Sequence, residues 1–183
     1  MNLTGQILFS LPNIKDERFK KSVIYICAHT SDGAMGIVIN KTLEMELYPN
    51  LLKELGIEKN KINKKIFFNY GGPVETSRGF ILHSDDVIKK ESIPINKGVI
   101  LSNTIEIFED LSNGKGPEFS MVALGYAGWG AQQLENEILN NGWMFTNVNS
   151  KFIFDDNPNT KWEKAYEILG VDPYSMSDKA GRA

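Results

Sequence analysis

Residues 119–135 read FSMVALGYAGWGAQQLE and contain the two signals on which the predicted fold depends. The apolar run from Phe119 to Leu124 favours a β-strand. Glycines follow at positions 125, 128 and 130, and Leu134 then begins the apolar face of a helix that ends near Asn141-Gly142. The stretch therefore predicts a strand, a glycine-rich turn and a helix joined as one unit.

Other strands are predicted before this unit. Apolar runs at 22–28 and 34–39 flank turn residues at 30–33, which predicts an antiparallel hairpin. A strand at 66–70 leads into a second glycine segment, residues 71–79, which read GGPVETSRG.

Helices and a closing hairpin complete the predicted elements. Leucines at helical spacing after Pro49 predict a short helix, and residues 143–148 and 151–154 predict the hairpin. A last helix follows at 160–169. Strands and helices mix without a regular βαβ alternation, so the predicted class is α+β.

Length and composition predict a soluble globular protein. We expect one domain over residues 1–183, with a loosely packed tail at 171–183. The net charge of -3 argues against direct nucleic-acid binding, because polyanions are repelled. We find no signal peptide and no apolar run near the ~20 residues of a membrane span. A single cysteine suits the reducing cytoplasm.

The two glycine segments, together with residues 33–41 (GAMGIVINK), resemble the AlgH (YqgE) family of bacterial proteins. The resemblance extends from Gly5 to about Ala183. It implies a bent, bifurcated, mostly antiparallel sheet that forms an irregular half-barrel with helices outside. It also implies an unassigned biochemical activity and an association with transcriptional regulation. No helix-turn-helix pattern is visible, so any such regulation is expected to be indirect.

The glycine segments predict one binding surface for a small anion or a protein partner. Glycine lets a backbone approach a ligand, arginine can hold an anion bidentately, and helix-start amides favour negative charge. The predicted surface comprises Gly71, Gly72, Glu75, Arg78, His83, Gly128, Trp129 and Gly130. In the alternative interpretation, the glycines only permit tight turns beneath Trp129, and Arg78 pairs internally with Glu75.

Cys27 is interpreted as a buried structural thiol, with redox sensing as the alternative. In a strand, Cys27 and His29 would project from one face. One cysteine and two histidines without zinc-site spacing predict no metal, and the glycine spacing matches no nucleotide fingerprint, so no cofactor is expected.

Two function classes follow. The preferred one is a non-enzymatic binding or regulatory protein. The alternative is a hydrolase or transferase acting on a small anionic substrate, which Arg78 and the helix-start amides would hold while His83 or Glu75 serves as acid or base. A nucleophile elbow of the form G-x-S-x-G is absent from the sequence, so no acyl-transfer mechanism is supported.

Overall fold

A computed structural model describes residues 1–44, 66–154 and 157–175. The strands are β1 (Gln6–Ser10), β2 (Val23–Thr30), β3 (Gly33–Val38), β4 (Ile66–Tyr70), β5 (Val74–His83), β6 (Ile93–Asn96), β7 (Val99–Ser102), β8 (Ser120–Gly130) and β9 (Trp143–Asn147). The α-helices are α1 (Ile105–Ser112), α2 (Gln133–Leu139), α3 (Ser150–Phe154) and α4 (Lys161–Ile168).

These strands form one sheet in the order β6-β7-β5-β8-β3-β2-β1-β9, and β4 also pairs with β8. The β4–β8 pair is parallel, and the other pairs between the described strands are antiparallel. The sheet curls into a half-barrel with a few helices, which confirms the fold predicted from the family resemblance.

Strand β8 is the point at which the sheet forks. Its first half, residues 120–124, lies between β4 on one edge and β5 on the other. Beyond Gly125, β3 takes the place of β4 and pairs with residues 127–130. The Val38 N–H donates to the Gly71 carbonyl at 2.9 Å and so joins the ends of β3 and β4. Two strands thus share one edge of β8 in succession.

In the part of the chain that the structure describes, three buried clusters cover the two faces of the sheet. The inner core lies under α3 and α4 and includes Tyr25, Met121 and Trp162. On the opposite face, the α1 core packs Ile107 and neighbouring residues of α1 against β5 and β8. The Trp129 core lies on that same face beneath α2 and contains Leu134. Successive side chains of a strand point to opposite faces of the sheet, so apolar side chains are buried on both faces.

The predicted hairpin at 22–39 is confirmed, because β2 and β3 pair antiparallel from Thr30↔Gly33 onward. The predicted closing hairpin is wrong. Strand β9 pairs with β1, and residues 150–154 form helix α3. The Asn149 side chain accepts a hydrogen bond from the Phe152 N–H at 3.1 Å, as a helix cap does. A helical turn lets three consecutive apolar residues, 152–154, reach the inner core.

The predicted glycine turn is also wrong in its bounds. The glycines at 125, 128 and 130 all lie within β8, and the turn consists only of residues 131–132. The helix predicted after Pro49 lies outside the described residues, as do residues 176–183 of the predicted tail. In the described part of that tail, Val171 packs against the inner core and the Tyr174 hydroxyl donates to Glu163 at 3.1 Å.

Gly71 and Gly72 carry the chain from the β4 edge of β8 to its β5 edge. The Gly71 N–H donates to the Leu124 carbonyl at 2.7 Å. A β-carbon at Gly72 would lie 2.1 Å from the carbonyl carbon of Tyr126, far inside van der Waals contact. Two residues later Val74 pairs with Tyr126 on the opposite edge. The crossing therefore requires bare backbone at Gly72.

Replacement of Gly72 by alanine should lower the free energy of unfolding by about 1–3 kcal/mol, since the new methyl group must displace backbone. The matched control is Gly130→Ala, where the nearest atom would be the Gln133 side-chain oxygen at 3.9 Å. It should change the free energy by less than about 1 kcal/mol. Urea denaturation of both variants measures the difference, and equal stabilities would contradict the tight crossing.

Candidate functional site

A cavity of about 640 Å³ opens where the β2–β3 hairpin faces β5, β7 and β8, and we call it the Arg78 cavity. It is lined by Ala28, Thr30, Asp32, Gly33, Ala34, Met35, Val74, Arg78, Phe80, Ile93, Leu101, Ser102, Asn103, Tyr126, Gly128 and Trp129.

Most of the wall of the Arg78 cavity is apolar. Phe80 and Tyr126 meet edge to face with ring centroids 5.7 Å apart, and Met35 packs beside them against the inner core. Arg78 and Asp32 are the charged residues of the lining. An apolar enclosure with a few polar groups at its mouth is typical of sites for small organic ligands.

Arg78 stands at the mouth of this cavity with about half of its side chain exposed. Its Nη1 donates to Glu75 Oε2 at 2.9 Å, and its guanidinium carbon lies 5.2 Å from the centre of the Phe80 ring. No other hydrogen bond to the guanidinium is formed within the described part of the chain. The predicted internal pair is thus present, and it leaves Nε–H and Nη2–H donors for a ligand.

Gly128 and Trp129 belong to the lining, but their side-chain directions differ. Gly128 lies opposite Met35 in the β3–β8 register, and a β-carbon there would approach the Tyr126 ring at 3.1 Å. This position therefore faces the Arg78 cavity. The Trp129 indole lies in the Trp129 core on the other face. The structure brings Arg78 and Gly128 to one site, as the sequence predicts, while the indole serves packing.

A second cavity of about 930 Å³ lies on that other face, and we call it the Trp143 cavity. Its lining comprises Asn13, Ile14, Lys15, Asp16, Arg18, Phe19, Pro73, Val74, Gly128, Trp129, Ala131, Gln133, Asn136, Glu137, Asn140, Asn141, Gly142 and Trp143. Glu137 Oε2 accepts both indole N–H groups, from Trp129 at 3.0 Å and Trp143 at 2.8 Å. This carboxylate therefore fixes the wall of the cavity.

Five of the predicted surface residues do not line the Arg78 cavity. Gly71 and Gly72 are used by the crossing over β8, and Glu75 contributes as the partner of Arg78. The N–H of Gly130 donates to Gln133 Oε1 at 3.1 Å, so an amide expected at the helix start already has an acceptor. Helix α2 also has only seven residues. The bonded Gly130 N–H therefore lends no support to the predicted anion site at the helix start.

His83 does not line the Arg78 cavity itself, but it bonds to Ser102, which does. It is fully buried and shares the face of Ile81, in the α1 core, rather than that of Phe80. Its Nδ1 lies 2.8 Å from the Ser84 carbonyl, which can only accept, so Nε2 accepts from the Ser102 hydroxyl at 2.9 Å. Burial lowers the pKa of His83 below its usual 6.5. The ring is a neutral structural group.

Cys27 and His29 face opposite sides of the sheet, contrary to the prediction. The β2–β3 register shifts between Ile26 and Ala28, which marks a β-bulge. Cys27 lies in the inner core, whereas His29 lies opposite Ala34 of the Trp129 core. His29 accepts from the Leu3 N–H at 3.2 Å and contacts Glu135 Oε1 at 3.0 Å. The bulge therefore excludes a Cys–His pair.

Sequence reasoning missed several residues that shape the Arg78 cavity, among them Met35, Phe80 and Tyr126. Two of them could have been predicted, because side chains two residues apart in a strand lie on the same face. Phe80 is two residues from Arg78, and Tyr126 is two residues from Gly128. Met35 could not be found this way, because its contribution depends on the pairing of β3 with β8.

Within residues 1–44, 66–154 and 157–175, no group of three or more His, Cys, Asp or Glu side chains is arranged to hold a metal ion. No helix in the same ranges has both the length and the apolar character needed to cross a bilayer.

Comparison with known proteins shows which family the chain belongs to. A family model described as AlgH-like matches residues 7–174. The chain belongs to the AlgH-like family. A UPF0301 protein of Beijerinckia indica is 45% identical over 190 residues, which cover 99% of this chain and 92% of that one. A UPF0301 protein of Paracoccus denitrificans is 42% identical over 185 residues, covering 100% of this chain and 97% of that one.

Solved structures agree with the fold of this AlgH-like chain. The solution structure of the AlgH protein from Pseudomonas aeruginosa matches with a TM-score of 0.78 and 31% identity, covering 100% of this chain and 97% of that one. A crystal structure from Corynebacterium diphtheriae matches with a TM-score of 0.71 at 16% identity, covering 96% and 92% of the two chains. The second likeness concerns the fold alone.

Cys27 provides a direct test of the inner core of this AlgH-like protein. Burial raises the pKa of its thiol to about 12, and its side chain is enclosed, so native protein should react with a thiol reagent far more slowly than protein in guanidinium chloride. Cys27→Ser should cost about 1–3 kcal/mol of unfolding free energy, because it buries a hydroxyl among apolar groups. Labelling of native protein as fast as of denatured protein would contradict the burial of Cys27.

Proposed function

We propose that this protein is a non-enzymatic binding protein, and that the Arg78 cavity receives a small ligand or side chain with an apolar body and an anionic group. The observation that supports this most strongly is the position of a half-exposed arginine at the mouth of an otherwise mostly apolar cavity. In the same proposal, binding of the ligand regulates the protein, and any effect on transcription is indirect. The protein is proposed to be located in the cytoplasm.

The size and lining of the Arg78 cavity support a small ligand. Its volume of about 640 Å³ falls within the range typical of sites for small molecules. Phe80, Tyr126 and Met35 offer aromatic and thioether surface for an apolar body. Burial of such a body contributes roughly 25 cal/mol per Å² of apolar area removed from water.

The electrostatics of the mouth favour an anion. Glu75 engages one terminal nitrogen of Arg78, and the remaining N–H groups point to no acceptor among the described residues. A carboxylate or phosphate can therefore dock on the guanidinium without breaking the Glu75 pair. Charge-assisted bonds of this kind are roughly twice as strong as neutral hydrogen bonds. Asp32, in the same lining, can accept a bond from a hydroxyl or amine elsewhere on the ligand.

The placement of the acid–base groups favours binding over catalysis. A hydrolase or transferase would require His83 or Glu75 to act at a substrate held by Arg78. His83 faces the α1 core and is engaged by Ser84 and Ser102, and the Glu75 carboxylate is paired with Arg78. The enclosed thiol of Cys27 offers no nucleophile to the cavity. Asp32 remains in the cavity lining as a carboxylate, but neither predicted acid–base residue is free to act there, which supports binding over the predicted hydrolase or transferase.

Arg78→Ala should weaken binding of an organic anion at least tenfold and change the free energy of unfolding by about 0–1 kcal/mol, because the Arg78–Glu75 pair is exposed. A thermal-shift screen of aliphatic and aromatic carboxylates and phosphate monoesters first identifies ligands, or hits, and calorimetry then measures their affinities. Gly128→Val should also weaken binding, since its side chain would extend toward Tyr126 and Val74.

Arg18→Ala is the matched control for this experiment. Arg18 is likewise exposed and paired with a carboxylate, that of Asp16 at 2.7 Å, but it lines the Trp143 cavity. Its replacement should leave anion affinity unchanged. Equal affinities of wild type and Arg78→Ala for every hit, or an equal loss in Arg18→Ala, would overturn the assignment of the site.

A further inference from the structure

Among the described residues, strand β8 has a free edge between the two cavities. On the edge that β5 occupies, pairing stops at Val74↔Tyr126, because the chain before Val74 crosses over β8. Of the strands that the structure describes, only β3 pairs with residues 127–130 of β8, and it does so on the other edge. Gly128 and Gly130 are exposed, whereas Ala127 and Trp129 between them are buried. The edge is therefore open at two residues that carry no side chain.

The backbone groups of Gly128 point outward along this edge. A β-carbon at Gly33 would lie 2.1 Å from the Trp129 carbonyl oxygen, so that carbonyl points toward β3. The Gly130 N–H points the other way, since it donates to the Gln133 side chain. Successive residues of a strand alternate the direction of their N–H and C=O groups. Gly128 thus directs both groups toward the open edge, where no described residue bonds them.

The two cavities flank this edge on opposite faces of the sheet. Both linings contain Val74, Gly128 and Trp129, the residues at which β5 pairing ends and the free edge begins. Side chains of an added strand would alternate between the two faces. A residue paired with Gly128 would direct its side chain to the Arg78 cavity, and its neighbours would face the Trp143 cavity.

We propose that the edge of β8 at Gly128–Gly130 binds an extended peptide segment of a partner protein as an added β-strand, with an acidic side chain opposite Gly128 reaching Arg78. This proposal rests on the proposed function, since the acidic side chain is the anion of the Arg78 cavity. Main-chain bonds to the edge supply affinity in this mode, and alternate side-chain pockets supply specificity. In the complex, a peptide carbonyl replaces Gln133 Oε1 on the Gly130 N–H.

The amide-rich wall of the Trp143 cavity indicates what the neighbouring peptide positions accept. Asn136, Asn140 and Asn141 line it, and the nearby carboxylate of Glu137 is already bonded by two indoles and by Gln133. Carboxamides offer donors and acceptors but no charge. Lys15 and the paired Arg18 and Asp16 lie in the same lining, so we expect polar side chains at these positions that are uncharged or acidic.

The test uses the full chain and a library of acetylated, amidated octapeptides with a central glutamate, read by fluorescence polarisation. A strand-adding peptide should lose at least tenfold in affinity when N-methylated at alternate residues and little at the intervening ones, because only alternate N–H groups face β8. Equal sensitivity at all positions, or insensitivity at all of them, would overturn the proposal.

Gly128→Pro and Gly128→Ala form a matched pair of variants. Both add a β-carbon near Tyr126, but only proline removes the outward N–H, and a proline with its nitrogen on a free edge leaves the β3 ladder intact. Peptide affinity should fall at least tenfold in Gly128→Pro relative to Gly128→Ala at comparable thermal stability. If the proline variant unfolds, N-methyl scanning on the wild-type chain decides alone.

Further outcomes separate this proposal from the proposed function. If free carboxylates bind in an Arg78-dependent manner but no library peptide binds, strand addition is wrong and the ligand site stands. If a peptide binds with alternate N-methyl sensitivity but equally to Arg78→Ala, the edge is correct and the anion site is wrong. A concentration-dependent dimer abolished by Gly128→Pro would show that a second copy uses this edge, and would overturn the peptide proposal.

Discussion

The contact between the bare backbone of Gly72 and that of Tyr126 is the constraint on which the rest of the structure depends. It lets the chain pass over β8 directly after β4 and begin β5 on the opposite edge. Gly125, with φ +68, gives β8 the local geometry to receive the crossing. Without this close approach, β4 and β5 could not bracket the first half of β8, and the sheet would not fork.

The same crossing creates the candidate binding surface. Because β5 begins only at Val74, no described strand pairs with the second half of β8 on that edge, and space remains on both faces beside Gly128. The register of β5 and β8 then breaks between Val74 and Gly79, and in that interval Arg78 reaches the mouth of the first cavity. A single backbone requirement thus accounts for the free edge, both cavities and the placement of the cationic group.

Much of the fold follows from local sequence patterns. Apolar runs around a four-residue turn correctly predict the β2–β3 hairpin, whereas nothing in the segment GGPVETSRG predicts that β5 begins as early as Val74. The bulge after Ile26 and the continuation of β8 through Gly130 leave no such signal, because both are determined by pairing with β3. Helix α3 likewise forms because its site in the inner core accepts consecutive apolar residues.

The central claim, that Gly128 presents an unpaired N–H at a free strand edge, is tested most directly by amide hydrogen exchange measured residue by residue with NMR. Ala127 and Trp129 should be strongly protected by their bonds to β3, while Gly128 between them should exchange at nearly the rate of an open chain. Protection of Gly128 equal to that of Trp129 in the free protein would show that the edge is already occupied, and would contradict the account.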